Sequence, residues 1–132
     1  MTSKAAGIEM RAAHFPGRPP IDAYGNGGFR FADMSHRGSI LCLPSGVYAW
    51  QPRDPAAMGI EDFAAVVAEA QAIEILIFGS GADLAPVAPP LRAALKAAHI
   101  AVEPMSTGAA VRTYNVLLAE DRAVAAALIA VA

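Results

Sequence analysis

Apolar positions along this chain follow two different periods, and the change between them divides it. In the first part Phe29-Arg30-Phe31 alternates apolar and polar, Ser39 to Leu43 reads as a buried strand through the apolar run Ile40 to Leu43, and Val47-Tyr48-Ala49-Trp50 is β-prone. Turn signals separate these pieces. Gly25-Asn26-Gly27-Gly28 suits a tight reversal because Asn-Gly readily takes positive φ, Ser35-His36-Arg37-Gly38 breaks the pattern, and Pro44-Ser45-Gly46 marks the next turn. The reading is an N-terminal β-meander. Before it, Pro16, Pro19 and Pro20 exclude a helix, Ile8 to Ala12 allows at most a short edge strand, and residues 1–7 are expected to be disordered.

After the loop from Gln51 to Gly59 the period becomes helical. Phe63, Val66, Val67 and Ala70 fall at i, i+3, i+4, i+7, with Glu61 and Asp62 in the first turn where the helix dipole favours acids, which predicts a helix over about 60–71. Ile73 to Phe78 then reads as a strand buried on both faces, Glu74 apart. Pro86, Pro89 and Pro90 lead into a second helix, in which Leu91, Ala94, Leu95 and Ala98 form the inner face and Arg92, Lys96 and His99 the outer one. Ile100 to Glu103 is a short strand ended by Pro104. Ser106 or Thr107 caps a third helix that runs to about Ala119 and is buried through Ala110, Tyr114 and Leu117. The last stretch, Arg122 to Ala130, reads as helix on its alanine content alone. Alternating strands and helices require parallel strands and crossover connections, which makes the fold class α/β.

At 132 residues the chain is the size of one domain, large enough to bury a core without disulfides or metal. A hydrophobic fraction of 55% overstates the core, since much of it is alanine. The longest apolar run, Ala123 to Ala132, is far short of the ~20 residues of a membrane-spanning helix. The N-terminus has no apolar segment of the secretory kind, so a cytoplasmic protein is expected. Ten basic against twelve acidic residues give a net charge of −2, which implies no general attraction to nucleic acid. The only cysteine, Cys42, lies inside an apolar run and is expected to be a buried, inert thiol.

Candidate chemistry concentrates at two turns. Ile75-Leu76-Ile77-Phe78 stops at Gly79-Ser80-Gly81, and a second short strand stops at Pro104-Met105-Ser106-Thr107-Gly108. Loops at the carboxyl ends of parallel strands line the crevice where ligands bind, so the two turns are expected side by side. Gly79 and Gly81 let backbone approach closely, and Ser80 adds a hydroxyl. Amides near Thr107, Gly108 and Ala109 could receive an anion, with Arg112 adding charge one turn on. The competing reading is structural: a tight strand exit and a helix cap, the commoner use of such turns. Formal motifs fail. Leu84 stands where a dinucleotide fingerprint needs its third glycine, no lysine follows a glycine-rich loop, and Phe78 occupies the first position of a would-be nucleophile elbow. His14, His36 and His99 have no Cys or carboxylate at metal-ligand spacing, and Glu61-Asp62 and Glu120-Asp121 are adjacent in sequence, about 100° apart on a helix, so neither pair makes an acid–base couple. No catalytic residue, metal or cofactor is assigned.

Ile77-Phe78-Gly79-Ser80-Gly81, then Val102-Glu103-Pro104-Met105-Ser106-Thr107, Ala110, Thr113-Tyr114-Asn115 and Leu117, resemble a small uncharacterised-domain family. That family includes mitochondrial respiratory complex I assembly factor three and the adipogenesis-associated domain protein. The resemblance runs from Gly25 to Leu128 and is most specific in the segment from Met105 to Asn115. It implies a three-layer α/β sandwich around a mixed, largely parallel central sheet, with the N-terminal β-meander and a C-terminal strand. In this reading Glu120-Asp121-Arg122 is a turn, with Asp121 standing where relatives have glycine, and Val124 to Leu128 is a strand against its helix propensity.

The resemblance further implies a non-enzymatic interaction protein with another protein as partner, assisting assembly of respiratory NADH dehydrogenase and reaching the respiratory membrane through that partner. Homo-oligomerisation stays open. A mitochondrial presequence is not evident, so a bacterial or cytosolic relative is expected. The alternative is a small-molecule or anion-binding, even hydrolytic, α/β domain with a crevice lined by Gly79, Ser80, Gly81, Ser106, Thr107, Gly108, Arg112, Thr113 and Asn115.

Overall fold

The computed structural model describes residues 15–132. The disorder expected at residues 1–7 and the strand allowed at Ile8 to Ala12 lie outside the described residues. In chain order the elements are β1 (Phe15–Pro16), β2 (Ala23–Gly25), β3 (Gly28–Phe31), β4 (Met34–Arg37), β5 (Ser39–Leu43) and β6 (Gly46–Trp50). There follow α1 (Ala64–Ala68), β7 (Ile75–Gly79), α2 (Pro89–Ala97), β8 (Ala101–Met105), α3 (Thr107–Ala119) and β9 (Val124–Leu128). Six strands form a central sheet in the order β1-β6-β5-β9-β7-β8, and β2-β3-β4 form a second sheet. β7 pairs in parallel with β9 on one side and β8 on the other, whereas the β9–β5, β5–β6 and β6–β1 ladders are antiparallel. The sheet is therefore mixed but only partly parallel, not largely so as expected: two of its five ladders among the described residues are parallel, because β5 and β6 of the meander are joined by a tight turn that permits only antiparallel pairing.

Alternation along the central strands sorts side chains into two apolar layers. Leu41 and Leu43 of β5, Leu76 and Phe78 of β7, and Ala125 and Ala127 of β9 face one layer, together with Phe63 and Val66 near α1 and Leu91 and Leu95 of α2. Ile40 and Cys42, Ile77, and Val124, Ala126 and Leu128 face the other, with Ala110, Val111 and Tyr114 of α3 and Phe29 and Phe31 of β3. This is the expected three-layer sandwich. Its middle is the last strand, in which all five residues from Val124 to Leu128 are buried. Asp121 takes φ 59 in the turn before it, the left-handed conformation that a short Asp side chain tolerates.

Several boundaries differ from the pattern. The segment Ser35 to Arg37, expected as a break, belongs to strand β4, with Phe29 opposite His36 and Arg30 opposite Ser35. It escapes an apolar pattern because one of its faces is exposed. The actual reversal is at Ala32-Asp33, with φ 49 and 61, and Gly38 at φ 103 then turns the chain from the small sheet into the central one. The meander is thereby shared between two sheets. Pro104 does not end its strand: it pairs with Phe78 inside β8, an edge strand whose outer side requires no N–H from it.

The helix expected over 60–71 is α-helical only at Ala64–Ala68, between 3₁₀ turns at Ile60–Phe63 and Ala70–Ala72. Its start carries the carboxylate half of a capping box, in which the Asp62 carboxylate accepts the Gly59 N–H at 2.9 Å, while the Asp62 carbonyl is engaged from outside by the Trp50 indole N–H at 2.8 Å. At the other end Glu69 accepts from the amide and hydroxyl of Ser45. Val67, expected on the inner face, is 40% exposed. Trp50 and Phe63 meet edge to face at 5.4 Å, and Phe63 meets Phe78 at 6.2 Å, which seats this short segment on the sheet.

Cys42 is wholly buried, as its apolar run predicts, and burial pushes its thiol up to about 12 although a hydrogen bond with Tyr114 acts the other way. Burial likewise raises the Tyr114 hydroxyl above its ordinary range. Between the ordinary thiol value of 9.0 and about 12, the unfolded chain loses a proton that the native chain keeps. The thiol's contribution to stability is therefore complete below the ordinary value and is lost as pH rises toward the native one. Native protein should resist iodoacetamide at neutral pH while urea-unfolded protein reacts, and the fall in urea midpoint through this alkaline window should be shallower in Cys42→Ala.

Candidate functional site

The carboxyl ends of β7, β8 and β9 meet where the two expected turns lie, and the turns are bonded directly to each other. The Ser80 N–H donates to the Met105 carbonyl at 2.9 Å, and the Thr107 N–H donates to the Gly81 carbonyl at 2.8 Å. In return the Gly81 N–H donates to Thr107 Oγ1 at 3.0 Å, and that hydroxyl donates to the Ile129 carbonyl at 2.7 Å. Thr107 has no exposed surface. One hydroxyl thus joins the ends of two strands to the first residue of α3.

Ser80 is similarly occupied. Its Oγ accepts the Ala85 N–H at 2.8 Å and donates to the Asp83 carbonyl at 2.8 Å, with the Met105 carbonyl at 3.2 Å. This folds the Gly81 to Ala85 loop over itself, with Gly81 at φ 110. Gly79 serves a different need. A Cβ there would lie 3.1 Å from both Ala110 Cβ and the Thr107 Cα, so its bare backbone lets α3 approach β7.

The amides at the start of α3 are less available than the sequence suggests. Ser106 is the N-cap and accepts from the Ala109 N–H at 3.4 Å, while the Thr107 amide is spent on Gly81. Tyr24 lies over Gly108, where a Cβ would sit 2.3 Å from the tyrosine oxygen. The gap between the turns is filled by their own hydrogen bonds. Open space lies on the far side of the Gly-Ser-Gly turn instead, a depression of about 430 Å³ bordered by Arg53, Asp54, Ser80, Asp83, Leu84 and the segment 129–132.

The remaining candidate residues separate along α3. Arg112 is exposed and Thr113 half-buried, and neither side chain has a hydrogen-bond partner among the described residues. Asn115 faces the N-terminal segment: its Oδ1 accepts the Ile21 N–H at 2.9 Å and its Nδ2 donates to the Ile21 carbonyl at 2.8 Å. It substitutes for a neighbouring strand. Ser39, which no motif marks, does comparable work by accepting the Ala130 N–H at 3.0 Å. Tyr24 and Ser39 sit in β-patterned stretches without any turn or spacing signal, so only the folded contacts reveal them. Among the described residues no group of His, Cys, Asp and Glu could hold a metal ion, and no helix is long and apolar enough to cross a membrane.

A mixed sheet closed by a C-terminal strand, with Gly-Ser-Gly bonded to a Ser-Thr helix cap, defines a class of small α/β domain. The chain belongs to the family described as protein of unknown function (DUF498/DUF598), whose model matches residues 21–129. It is 42% identical over 119 residues to an uncharacterised protein of Rhodobacter capsulatus, covering 90% of each chain. It is 30% identical over 122 residues to the mouse NADH dehydrogenase [ubiquinone] 1 alpha subcomplex assembly factor 3, covering 92% of this chain and 66% of the mouse protein. The crystal structure of an outer membrane protein from Bartonella henselae superposes with a TM-score of 0.87 at 59% identity, over 90% of this chain and 100% of that one.

If Thr107 chiefly holds the strand ends together, Thr107→Val should leave the Gly81 N–H and the Ile129 carbonyl unpaired. Each orphaned group costs about 1–3 kcal/mol of unfolding free energy by urea titration. Thr107→Ser, which keeps the hydroxyl, should lose much less.

Proposed function

We propose that this chain is a small non-enzymatic interaction protein that binds another protein and assists assembly of respiratory NADH dehydrogenase. The observation that carries the reading is its 30% identity, over 92% of its length, to a mouse assembly factor for that enzyme. The occupation of Ser80 and Thr107 is consistent with it, because a nucleophilic hydroxyl must be free toward a base and a substrate, whereas these are tied to backbone groups. In this reading the protein is cytoplasmic and reaches the respiratory membrane through its partner. Deleting its gene in the respiring host and separating membrane complexes by native electrophoresis should lower assembled NADH dehydrogenase and accumulate subcomplexes, both reversed by a plasmid copy. A normal level of the assembled enzyme would overturn the reading.

A second reading, binding of a small molecule or anion, draws support from the depression of about 430 Å³ beside Ser80 and Gly81, with Arg53 on its rim. A thermal-melting panel of metabolites and anions separates the two readings. Stabilisation of the parent protein that disappears in Arg53→Ala favours the ligand. No stabilising compound in the panel sinks it.

A further inference from the structure

The small sheet carries a feature that neither turn accounts for. In β2-β3-β4 the register sets Ala23 opposite Arg30, Gly25 opposite Gly28, Arg30 opposite Ser35, and Gly28 opposite Arg37. Opposed residues share a face and so do residues two apart on a strand, so Ala23, Gly25, Gly28, Arg30, Ser35 and Arg37 all lie on one side. Phe29 and Phe31 lie on the other and are buried in the core. Small residues leave the floor of the outer face low, and the arginines rise from it. A depression of about 480 Å³ occupies this face, and the residues lining it include Arg30 and Arg37 but no Asp or Glu.

Both arginines are exposed. Arg30 Nη1 donates to Ser35 Oγ at 3.1 Å, a neutral partner, and Arg37 has no side-chain hydrogen bond or ion pair among the described residues. The ion pair recorded among those residues is elsewhere, between Arg122 and Glu74. Arg30 and Arg37 are diagonal neighbours on paired strands, about 7–8 Å apart at the backbone, within reach of one another for long side chains. Like charges so placed repel, and an anion between them removes the repulsion while using both guanidinium forks. A protein of net charge −2 has thus gathered two unpaired cations over a glycine floor.

We infer that this face is the docking surface for an acidic peptide segment of a partner protein, with Arg30 and Arg37 holding its carboxylates. The inference rests on the interaction-protein reading above and gives it a location. An extended acidic segment fits better than this chain's own residues 1–14, which carry Lys4 and Arg11 against Glu9 and offer no charge complement. Gly25 and Gly28 let the segment's backbone lie close to the sheet, and Ser35 offers a hydroxyl beside the carboxylates. Electrostatic attraction of this kind acts most on encounter and specificity, and salt weakens it.

The test uses the full chain and fluorescein-labelled hexaglutamate, followed by fluorescence anisotropy at low and high salt, with hexaglutamine as the neutral control. Hexaglutamate should bind, hexaglutamine should not, and Arg30→Gln with Arg37→Gln should weaken binding about tenfold or more, as expected for loss of charge-assisted bonds. Amide shifts on titration should centre on Gly25, Gly28 and Ser35. Melting curves check that the variants fold, and the single variants serve if the double one does not. Binding unchanged in the folded variants, or shifts centred elsewhere, overturns the proposal. It is also overturned if inorganic phosphate reproduces the same shifts with equal affinity, which marks a small-anion site, or if vesicles of anionic phospholipid bind through these arginines in preference to the peptide. Complementation keeps the two readings apart. If the double variant restores NADH dehydrogenase assembly fully, the surface is wrong and the assembly role stands; if deletion leaves assembly normal while hexaglutamate binds through the arginines, the reverse holds.

Discussion

The fold depends on the insertion of its last strand between two sheets' worth of chain that otherwise share no ladder. β9 hydrogen-bonds to β5 of the meander on one side and to β7 of the parallel unit on the other. Every one of its residues is buried, so each must fit two packed layers at once. Alanine at 125, 126 and 127 meets that demand by being small, letting α3 and the helices of the opposite layer pack close to the sheet. Helix propensity argues for a helix here, but a helix would leave two sheet edges unpaired in the core.

Once β9 is in place, the ends of the parallel strands need partners. The Thr107 hydroxyl and the Ser80 hydroxyl supply them, together with the capping of α3 by Ser106. A strand exit, a helix start and a chain end converge within hydrogen-bond distance, and two side chains satisfy most of what the backbone leaves over. This is why the region has the look of a ligand loop in sequence while its polar atoms face inward in the fold.

The small sheet, whose Tyr24 lies over Gly108 beside the two turns, shows the complementary situation. On the small sheet the buried side is closed by Phe29 and Phe31, and the exposed side is left with charge and no counter-charge. Among the described residues, the hydroxyls at the strand ends are spent on the scaffold, whereas Arg30 and Arg37 are left without an ion pair.

The sequence by itself determined the succession of elements in the parallel half, because apolar spacing at i, i+3, i+4, i+7 and uninterrupted apolar runs are local properties. The helix through Leu91 and Leu95, the strand through Phe78, a cap at Ser106 or Thr107 and the burial of Cys42 could all be read from the chain alone, and the fold settles the cap on Ser106. The family resemblance added the last strand, which propensity alone misassigns. Tertiary structure decided what depends on neighbours distant in the chain. β4 has no apolar alternation and becomes a strand through pairing with β3. Pro104 stays within a strand because that strand lies at an edge. The helix near Val66 is cut short because Trp50 and Ser45, remote in sequence, engage Asp62 and Glu69. The direction in which Ser80, Thr107 and Asn115 spend their hydrogen bonds was likewise invisible, since Asn115 finds Ile21 94 positions away. Spacing records which face a residue occupies, but only the folded chain says whether a partner already fills its reach.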